Sequence, residues 1–302
     1  MFLPYYITST DVDTLTLGRD VKYNFDAEYK QLSDTVRATI TADMIEQKLI
    51  QGSKLQEAWF ATDNSFHVFL SHSHADEKQA KRFAAFLKQE YGINVFIDSC
   101  YWGYCNDLLR NLDNKICHYT DKDGKGWYNY DRRNFTTSLI HIMLANALLE
   151  MMSKTECVIF LNTHNSIKSE SAFKYVKGQA QTPSPWIYQE IAYANSLERQ
   201  IPERWYDKLT YPQFRREGGT IRYFCCEALA ELPNVEFDVN FSKFYRLTST
   251  FLQSIAARTP EKFMDVLHMA YINNEYSNYR GVLNESRQRK PVIFRQKTIL
   301  GD

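Results

Sequence analysis

The chain has 302 residues, of which 44% are hydrophobic and 24% are charged, and its 36 Lys and Arg residues balance 36 Asp and Glu residues. This composition excludes a chain that is disordered throughout, and the length suffices for one large domain or two small ones. A net charge of zero argues against a nucleic-acid partner, because phosphate backbones are held by an excess of basic residues.

The first residues, MFLPYYITST, lack the basic and apolar regions of a signal peptide. The most apolar helical stretch, at residues 139–152, is too short to span a bilayer and contains His141, Asn146 and Glu150. We therefore expect a soluble, cytoplasmic protein without a membrane partner.

Residues 1–64 are predicted to form a helical N-terminal extension. Leu32, Val36, Ile40 and Met44 recur at four-residue spacing, which is one face of an amphipathic helix. That face could pack on the main domain or on another subunit.

Residues 65–240 show short apolar runs that alternate with helical patterns. The predicted strands lie at residues 66–70, 94–98, 157–161, 220–224 and 235–239. The predicted helices lie at residues 76–91, 136–153 and 185–197, and Gly92 is placed to end the first of them. This alternation predicts an α/β fold with a parallel sheet and helices on both faces.

Residues 241–302 are predicted to form a helical C-terminal extension and tail. The apolar positions that mark its two helices are Phe244, Leu247, Phe251 and Leu252, then Phe263, Val266, Leu267 and Ala270.

The six cysteines are sparse and irregularly spaced. Cys100, Cys105, Cys117 and His118 could supply four ligands to zinc, but their spacing lacks the paired knuckles of recognisable zinc sites. We therefore predict free thiols and no metal.

Ligands of parallel sheets bind outside the carboxyl ends of the strands, so chemistry is expected in the loops that follow the predicted strands. Asp98 closes the second predicted strand and should face this rim. Tyr101, Trp102 and Tyr104 follow it and could stack on a nucleotide base or a pyridine ring. They could equally pack on the core of their own loop.

The loop after the first predicted strand, Ser71-His-Ser-His-Ala-Asp76, crowds hydroxyls, imidazoles and a carboxylate into six positions. A nucleophilic serine beside a general-base histidine is conceivable, but neighbours in sequence seldom point at one another. From the residues alone we expect Ser73 or Asp76 to cap the next helix, and His72 and His74 to be exposed.

The segment SPWIYQEIAYA contains Glu190 one helical turn after Trp186. Ile187, Ile191 and Ala194 form a neighbouring apolar stripe, so packing should hold the Glu190 carboxylate in place. A fixed carboxylate suits a reaction in which positive charge develops on a sugar carbon. A surface glutamate without a chemical task is the alternative.

Four segments in order, FHVFLSHSHADE, NVFID, CVIFLNT and SPWIYQE, resemble a Toll/interleukin-1 receptor (TIR) domain with long loop insertions. The resemblance implies a flavodoxin-like parallel sheet. SPWIYQE resembles the Ser-x-Trp-x-x-x-Glu motif, which makes Glu190 the catalytic residue. The substrate-binding residues expected with it are Ser71, His72, Asp98, Trp102, Ser184 and Trp186.

The long flanking segments resemble bacterial TIR proteins of antiphage defence, such as those of Thoeris systems. The resemblance implies an enzyme that cleaves the nicotinamide–ribose bond of NAD+, which is a substrate and not a cofactor. The product would be ADP-ribose or a cyclic or conjugated form of it that signals to a separate effector protein, and activity would depend on self-association. The alternatives are a non-catalytic TIR scaffold that acts through self-association and a nucleoside-processing enzyme on a similar sheet.

Overall fold

The computed structural model describes residues 3–19, 52–62, 65–102, 105–168, 180–197, 204, 237–256 and 258–286. The helix predicted around residues 32–44 and the strand predicted at 220–224 lie outside these ranges.

Nine strands and nine α-helices lie in the described residues, together with a 3₁₀ turn at His74–Asp76 and a π-helical turn at Asp113–Cys117. The strands are β1 (Leu3–Thr8), β2 (Val68–Ser71), β3 (Val95–Phe96), β4 (His118–Thr120), β5 (Gly126–Tyr128), β6 (Cys157–Asn162), β7 (Ala180–Thr182), β8 (Phe237–Val239) and β9 (Tyr245–Leu247). The helices are α1 (Ser9–Thr16), α2 (Gly52–Trp59), α3 (Glu77–Tyr91), α4 (Asp98–Tyr101), α5 (Cys105–Leu112), α6 (Tyr130–Lys154), α7 (Pro185–Ser196), α8 (Ser249–Ser254) and α9 (Pro260–Ser286).

Five parallel strands form the central sheet in the order β3-β2-β6-β1-β9. The α/β prediction is confirmed, and α3, α6 and α7 form where helices were predicted. Helix α3 ends at Gly92, whose φ of 70° is the left-handed conformation that glycine adopts readily.

The first predicted domain limit is wrong, because the N-terminal segment supplies a strand of the sheet. Strand β1 pairs with β6 on one side and β9 on the other, and its Leu3, Tyr5 and Ile7 side chains are buried. A short run that is apolar on successive positions, such as LPYYIT, carries no clear periodicity, and only its tertiary partners make it a strand.

The second predicted limit, at residue 240, is also wrong. Leu247 belongs to the edge strand β9 and not to a helix. Helix α9 is part of the same core, since Phe263 and Leu267 are fully buried and Leu267 O accepts a hydrogen bond from Tyr5 Oη at 2.7 Å. The strand predicted at 235–239 exists as β8, but it pairs antiparallel with β7, apart from the central sheet.

The two-residue period of the strands divides the core between two faces. The first face packs against α1, α3 and α9 and includes Leu3, Tyr5, Ile7, Val68, Leu70 and Ile159. The second face packs against α2, α6 and α7 and includes Phe69, Phe96, Val158 and Phe160. Helices therefore cover both faces, as predicted.

The connections that follow β2 and β6 lead to opposite sides of the sheet. The chain leaves β2 through α3, on the first face, towards β3, and it leaves β6 through α7, on the second face, towards β9. Because β2 and β6 are neighbours, the point at which the chain connections diverge lies between them at the carboxyl edge. Such a switch point is where open α/β sheets bind ligands.

Helix α6 is longer than predicted, and it is the one described helix that could cross a membrane by length and composition. Half of its apolar 18-residue stretch is buried inside the protein. Ile140, Leu148 and Met151 pack on the second face of the sheet. This burial is consistent with the core helix of a soluble protein.

A charged cluster lies at the amino edge of the sheet, just before β6. Arg204 donates to both carboxylate oxygens of Glu156 at 2.8 and 2.9 Å and to Asp265 at 2.8 Å, and His268 Nε2 lies 3.0 Å from Glu156. Burial alone would raise the pKa of Glu156, but the hydrogen bonds from His268 and Arg204 outweigh it and lower this pKa to about 2.

Replacing Arg204 with methionine is expected to lower the free energy of unfolding near neutral pH by about 2 kcal/mol, because charge-assisted hydrogen bonds are lost. The folded-state pKa of Glu156 lies below its ordinary value of 4.5, so this stabilisation is present above that value and is lost as the pH falls towards 2. Urea unfolding at neutral and at acidic pH measures the effect. A difference between the two proteins that does not narrow in acid would contradict it.

Candidate active site

The candidate site is organised by the start of helix α7. Ser184 is the N-cap residue, and its Oγ accepts a hydrogen bond from the backbone N–H of Ile187 at 3.3 Å. Pro185 follows at the first helical position, where its missing N–H costs nothing. Ser184 therefore fixes the helix that carries Glu190, and its hydroxyl is used for this purpose.

Glu190 is held inside the protein, with 5% of its surface exposed. The predicted apolar stripe is confirmed, since Ile187, Ile191 and Ala194 are all buried against the second face of the sheet. The prediction that packing positions this carboxyl group is also confirmed.

Ser71 is the partner of Glu190. It is the last residue of β2, two positions after Phe69, and therefore points to the same face as α7. Its hydroxyl donates a hydrogen bond to Glu190 Oε2. The contact joins two segments that are 119 residues apart.

The electrostatic environment of Glu190 favours the protonated form of its carboxyl group. Burial raises its pKa well above the ordinary value, the negative charge of Asp98 raises it further, and the hydrogen bond from Ser71 opposes both effects. A buried carboxyl group with a pKa perturbed in this way, at the carboxyl edge of a parallel sheet, is typical of functional sites.

Asp98 and His72 complete the cluster. Asp98 begins α4 directly after the β3 edge of the sheet, and its side chain is 36% exposed. The prediction that His72 is exposed is wrong, because only 2% of its side chain is accessible and its Nδ1 lies 4.0 Å from Asp98 Oδ1. Among the described residues, neither ring nitrogen of His72 has a hydrogen-bond partner. His74 is exposed, as predicted.

Asp76 occupies the N-cap position of α3, as predicted, and Ser73 occupies that of the 3₁₀ turn before it, but the expected capping bonds do not form. The Asp76 carboxylate instead accepts hydrogen bonds from Thr163 Oγ1 and from Asn165 Nδ2, the latter at 2.7 Å. These hydrogen bonds connect the loop after β2 with the loop after β6 at the carboxyl edge of the sheet.

Trp102 occupies the position of a core residue. It is 5% exposed, its indole N–H donates to the backbone carbonyl of Ala61 at 3.0 Å, and its ring packs edge-on against Phe60 and Phe96. This geometry corresponds to the alternative in which the loop packs on its own core. The position of Tyr104 is outside the described residues.

Replacing Trp102 with phenylalanine is expected to lower the free energy of unfolding by about 1–2 kcal/mol, because the Ala61 carbonyl loses its donor and the ring becomes smaller. Urea unfolding measures this loss. Unchanged stability of the variant would contradict the core position of the ring and favour the stacking role instead.

Trp186 is partly buried and packs against the core on the second face of the sheet. Its ring meets the His141 ring of α6 edge-on, with the centroids 5.3 Å apart. It therefore links α7 to α6 one turn before Glu190, and this contact supports the helix that positions the carboxyl group.

Cys100, Cys117 and Cys157 are free thiols. Cys117 contacts Asp113 and Thr136 and not a second cysteine. In the part of the chain that the structure describes, no group of three or more His, Cys, Asp or Glu side chains could hold a metal ion.

Models of known protein families, curated proteins and solved structures give no significant match to this chain.

The structure brings four of the predicted site residues together, namely Ser71, His72, Asp98 and Glu190. The two carboxyl groups of this cluster, Asp98 and Glu190, favour a ligand that carries positive charge. Ser184 and Trp186 act on the helix behind this cluster, and Trp102 lies in the core. The sequence prediction missed Thr163 and Asn165, although they lie in a loop that the strand-end rule selects.

Proposed function

We propose that this chain is a TIR-type enzyme that cleaves the nicotinamide–ribose bond of NAD+. The observation that carries the proposal is the buried Glu190 carboxyl group, which Ser71 holds at the carboxyl edge of a parallel sheet beside a second carboxylate, Asp98.

The positive charge of NAD+ lies on the nicotinamide ring, next to the bond that breaks. Binding of this cation beside Glu190 favours the ionised form of its carboxyl group. As nicotinamide leaves with the bonding electron pair, the charge moves to the anomeric carbon of the ribose. A fixed Glu190 carboxylate that accepts hydrogen bonds from the ribose hydroxyls stabilises this charge, by about 10²–10³-fold in rate.

The strand order supports a flavodoxin-like, TIR-type sheet. The strands formed by NVFID, FHVFLS and CVIFLN lie side by side as β3, β2 and β6, which is the arrangement of the first three strands of a 2-1-3-4-5 sheet. The chain departs from that order at the next position, where the N-terminal strand β1 stands beside β6.

The biological role rests on the resemblance to antiphage TIR proteins. In this proposal the product is a cyclic or conjugated ADP-ribose that acts as a signal in the cytoplasm and activates a separate effector protein. Self-association of the chain would accompany activity.

The test is to incubate the purified full chain with NAD+ and to follow nicotinamide release by chromatography and the ribosyl products by mass spectrometry. Wild-type protein should consume NAD+, and the Glu190→Gln variant should not. Equal loss of NAD+ with both proteins, or intact NAD+ with the self-associated wild type, would overturn the proposal.

A non-catalytic scaffold is the second candidate, and one surface favours it. The β4–β5 hairpin and the start of α6 expose several aromatic side chains, namely Tyr119, Trp127, Tyr128, Tyr130 and Phe135. Exposed aromatic clusters mark association surfaces. Self-association that Trp127→Ser and Phe135→Ser abolish, with NAD+ left intact by the wild type, would support the scaffold.

A further inference from the structure

His72 is a buried polar group that the packing of the protein does not explain. Its side chain is 2% accessible, and neither ring nitrogen has a hydrogen-bond partner among the described residues. An unpaired buried polar group destabilises the folded protein, so it persists when something other than packing requires it.

The surroundings of His72 indicate what that requirement is. Its neighbour in the chain, Ser71, donates to Glu190, and its Nδ1 faces Asp98 Oδ1 at 4.0 Å, which is too long for a hydrogen bond. A carboxylate beside one ring nitrogen favours the tautomer that carries its proton on that nitrogen, which leaves Nε2 as a base. Catalytic hydrogen bonds are often long before substrate binds and shorten in the complex.

From this geometry we infer that His72, oriented by Asp98, is the general base that takes the proton from the hydroxyl group that attacks the ribosyl cation. The inference rests on the proposed NAD+ cleavage and assigns the second half of that reaction. It also names the class of acceptor, which is water or an alcohol.

The C–N bond to nicotinamide breaks, and its electron pair stays on the ring nitrogen, so nicotinamide leaves neutral. A lone pair of the acceptor oxygen forms the new bond to the anomeric carbon, and the hydroxyl proton passes to His72 Nε2. The imidazolium then releases this proton to solvent, which restores the free enzyme.

Free nicotinamide, a pyridine, can replace water or an alcohol as the acceptor. Its reaction distinguishes formation of the ribosyl cation from proton transfer to the base. Its ring nitrogen carries no proton, so exchange of free nicotinamide into NAD+ needs the cation to form but needs no base. Hydrolysis and methanolysis need both. The experiment incubates the full chain with NAD+ and either isotope-labelled nicotinamide or methanol, and measures label entering NAD+, ADP-ribose and methyl ADP-ribose.

The His72→Gln variant is expected to lose about 10²-fold in hydrolysis and methanolysis, while nicotinamide exchange stays within about threefold of the wild type. Asp98→Asn, like His72→Gln, should lower the ratio of hydrolysis to exchange, because the imidazole loses its orienting group. The control is His74→Gln, which changes an exposed imidazole two residues further along and should alter neither rate.

The inference is overturned if His72→Gln hydrolyses NAD+ like the wild type, or if exchange falls together with hydrolysis, since His72 would then only position other groups. A His72→Phe variant checks folding, because removing an unpaired polar group should leave the free energy of unfolding the same or higher. Exchange that survives in Glu190→Gln would instead contradict the proposed function, so the two failures are distinct.

Discussion

Replacing Glu190 with glutamine is expected to lower NAD+ cleavage about 10³-fold and, in the same protein, to raise the free energy of unfolding by about 1 kcal/mol. The loss of rate follows because a neutral amide cannot stabilise positive charge on the ribose as a carboxylate does. Nicotinamide release under saturating NAD+ measures it.

The gain in stability follows from the raised pKa of Glu190, which burial and the charge of Asp98 cause. A carboxyl group whose folded-state pKa lies above its unfolded value stabilises the fold fully below the unfolded value and loses that contribution as the pH rises through the folded one. Glutamine never ionises, so the advantage of the variant should be absent in acid and appear as the pH rises. Urea unfolding at several pH values tests this sign.

Glu150→Gln is the matched control. Glu150 lies near the end of α6, towards the amino edge of the sheet, and accepts hydrogen bonds from Thr62 and Lys154. Because these partners lower the pKa of Glu150, this variant should lose a little stability and keep full activity. A Glu190→Gln protein that is both inactive and less stable at every pH would show that the carboxyl group is structural.

The central helices and strands could be predicted because each shows its own periodicity and its own stop signal. Helix α3 combines an apolar face with Gly92 at its end, and α7 combines Ser184, Pro185 and an apolar stripe. The contribution of β1 could not be predicted in this way. A strand that is buried in the middle of a sheet is defined by its neighbours β6 and β9, which lie far along the chain.

The site could be predicted in its residues but not in its contacts. The strand-end rule selects Ser71 and Asp98, and the helix stripe selects Glu190. The bond between Ser71 and Glu190 needs one further step, because both residues must face the same side of the sheet. The alternation from Phe69 to Ser71 contains that information. The burial of His72 could not be predicted from the sequence, since a histidine between two serines has no pattern that distinguishes a buried position from an exposed one.

Asp98→Asn and Ser71→Ala are expected to move the acidic limb of the pH dependence of kcat/KM in opposite directions. This limb reports ionisation of Glu190 in the free enzyme, because the proposed reaction needs its carboxylate form. Asp98 raises the pKa of Glu190 and Ser71 lowers it. Asparagine at position 98 should therefore shift the limb to lower pH, and alanine at position 71 should shift it to higher pH.

The opposite signs make this pair more informative than either loss of activity alone. General damage to the site would reduce the rate of either variant. It would not shift the acidic limb to lower pH in one variant and to higher pH in the other. The Asp13→Asn variant on α1 controls for a general change in surface charge and should leave the limb in place. If both site variants shift the limb the same way, a group other than Glu190 governs the acidic limb, and the carboxylate role assigned to Glu190 fails with it.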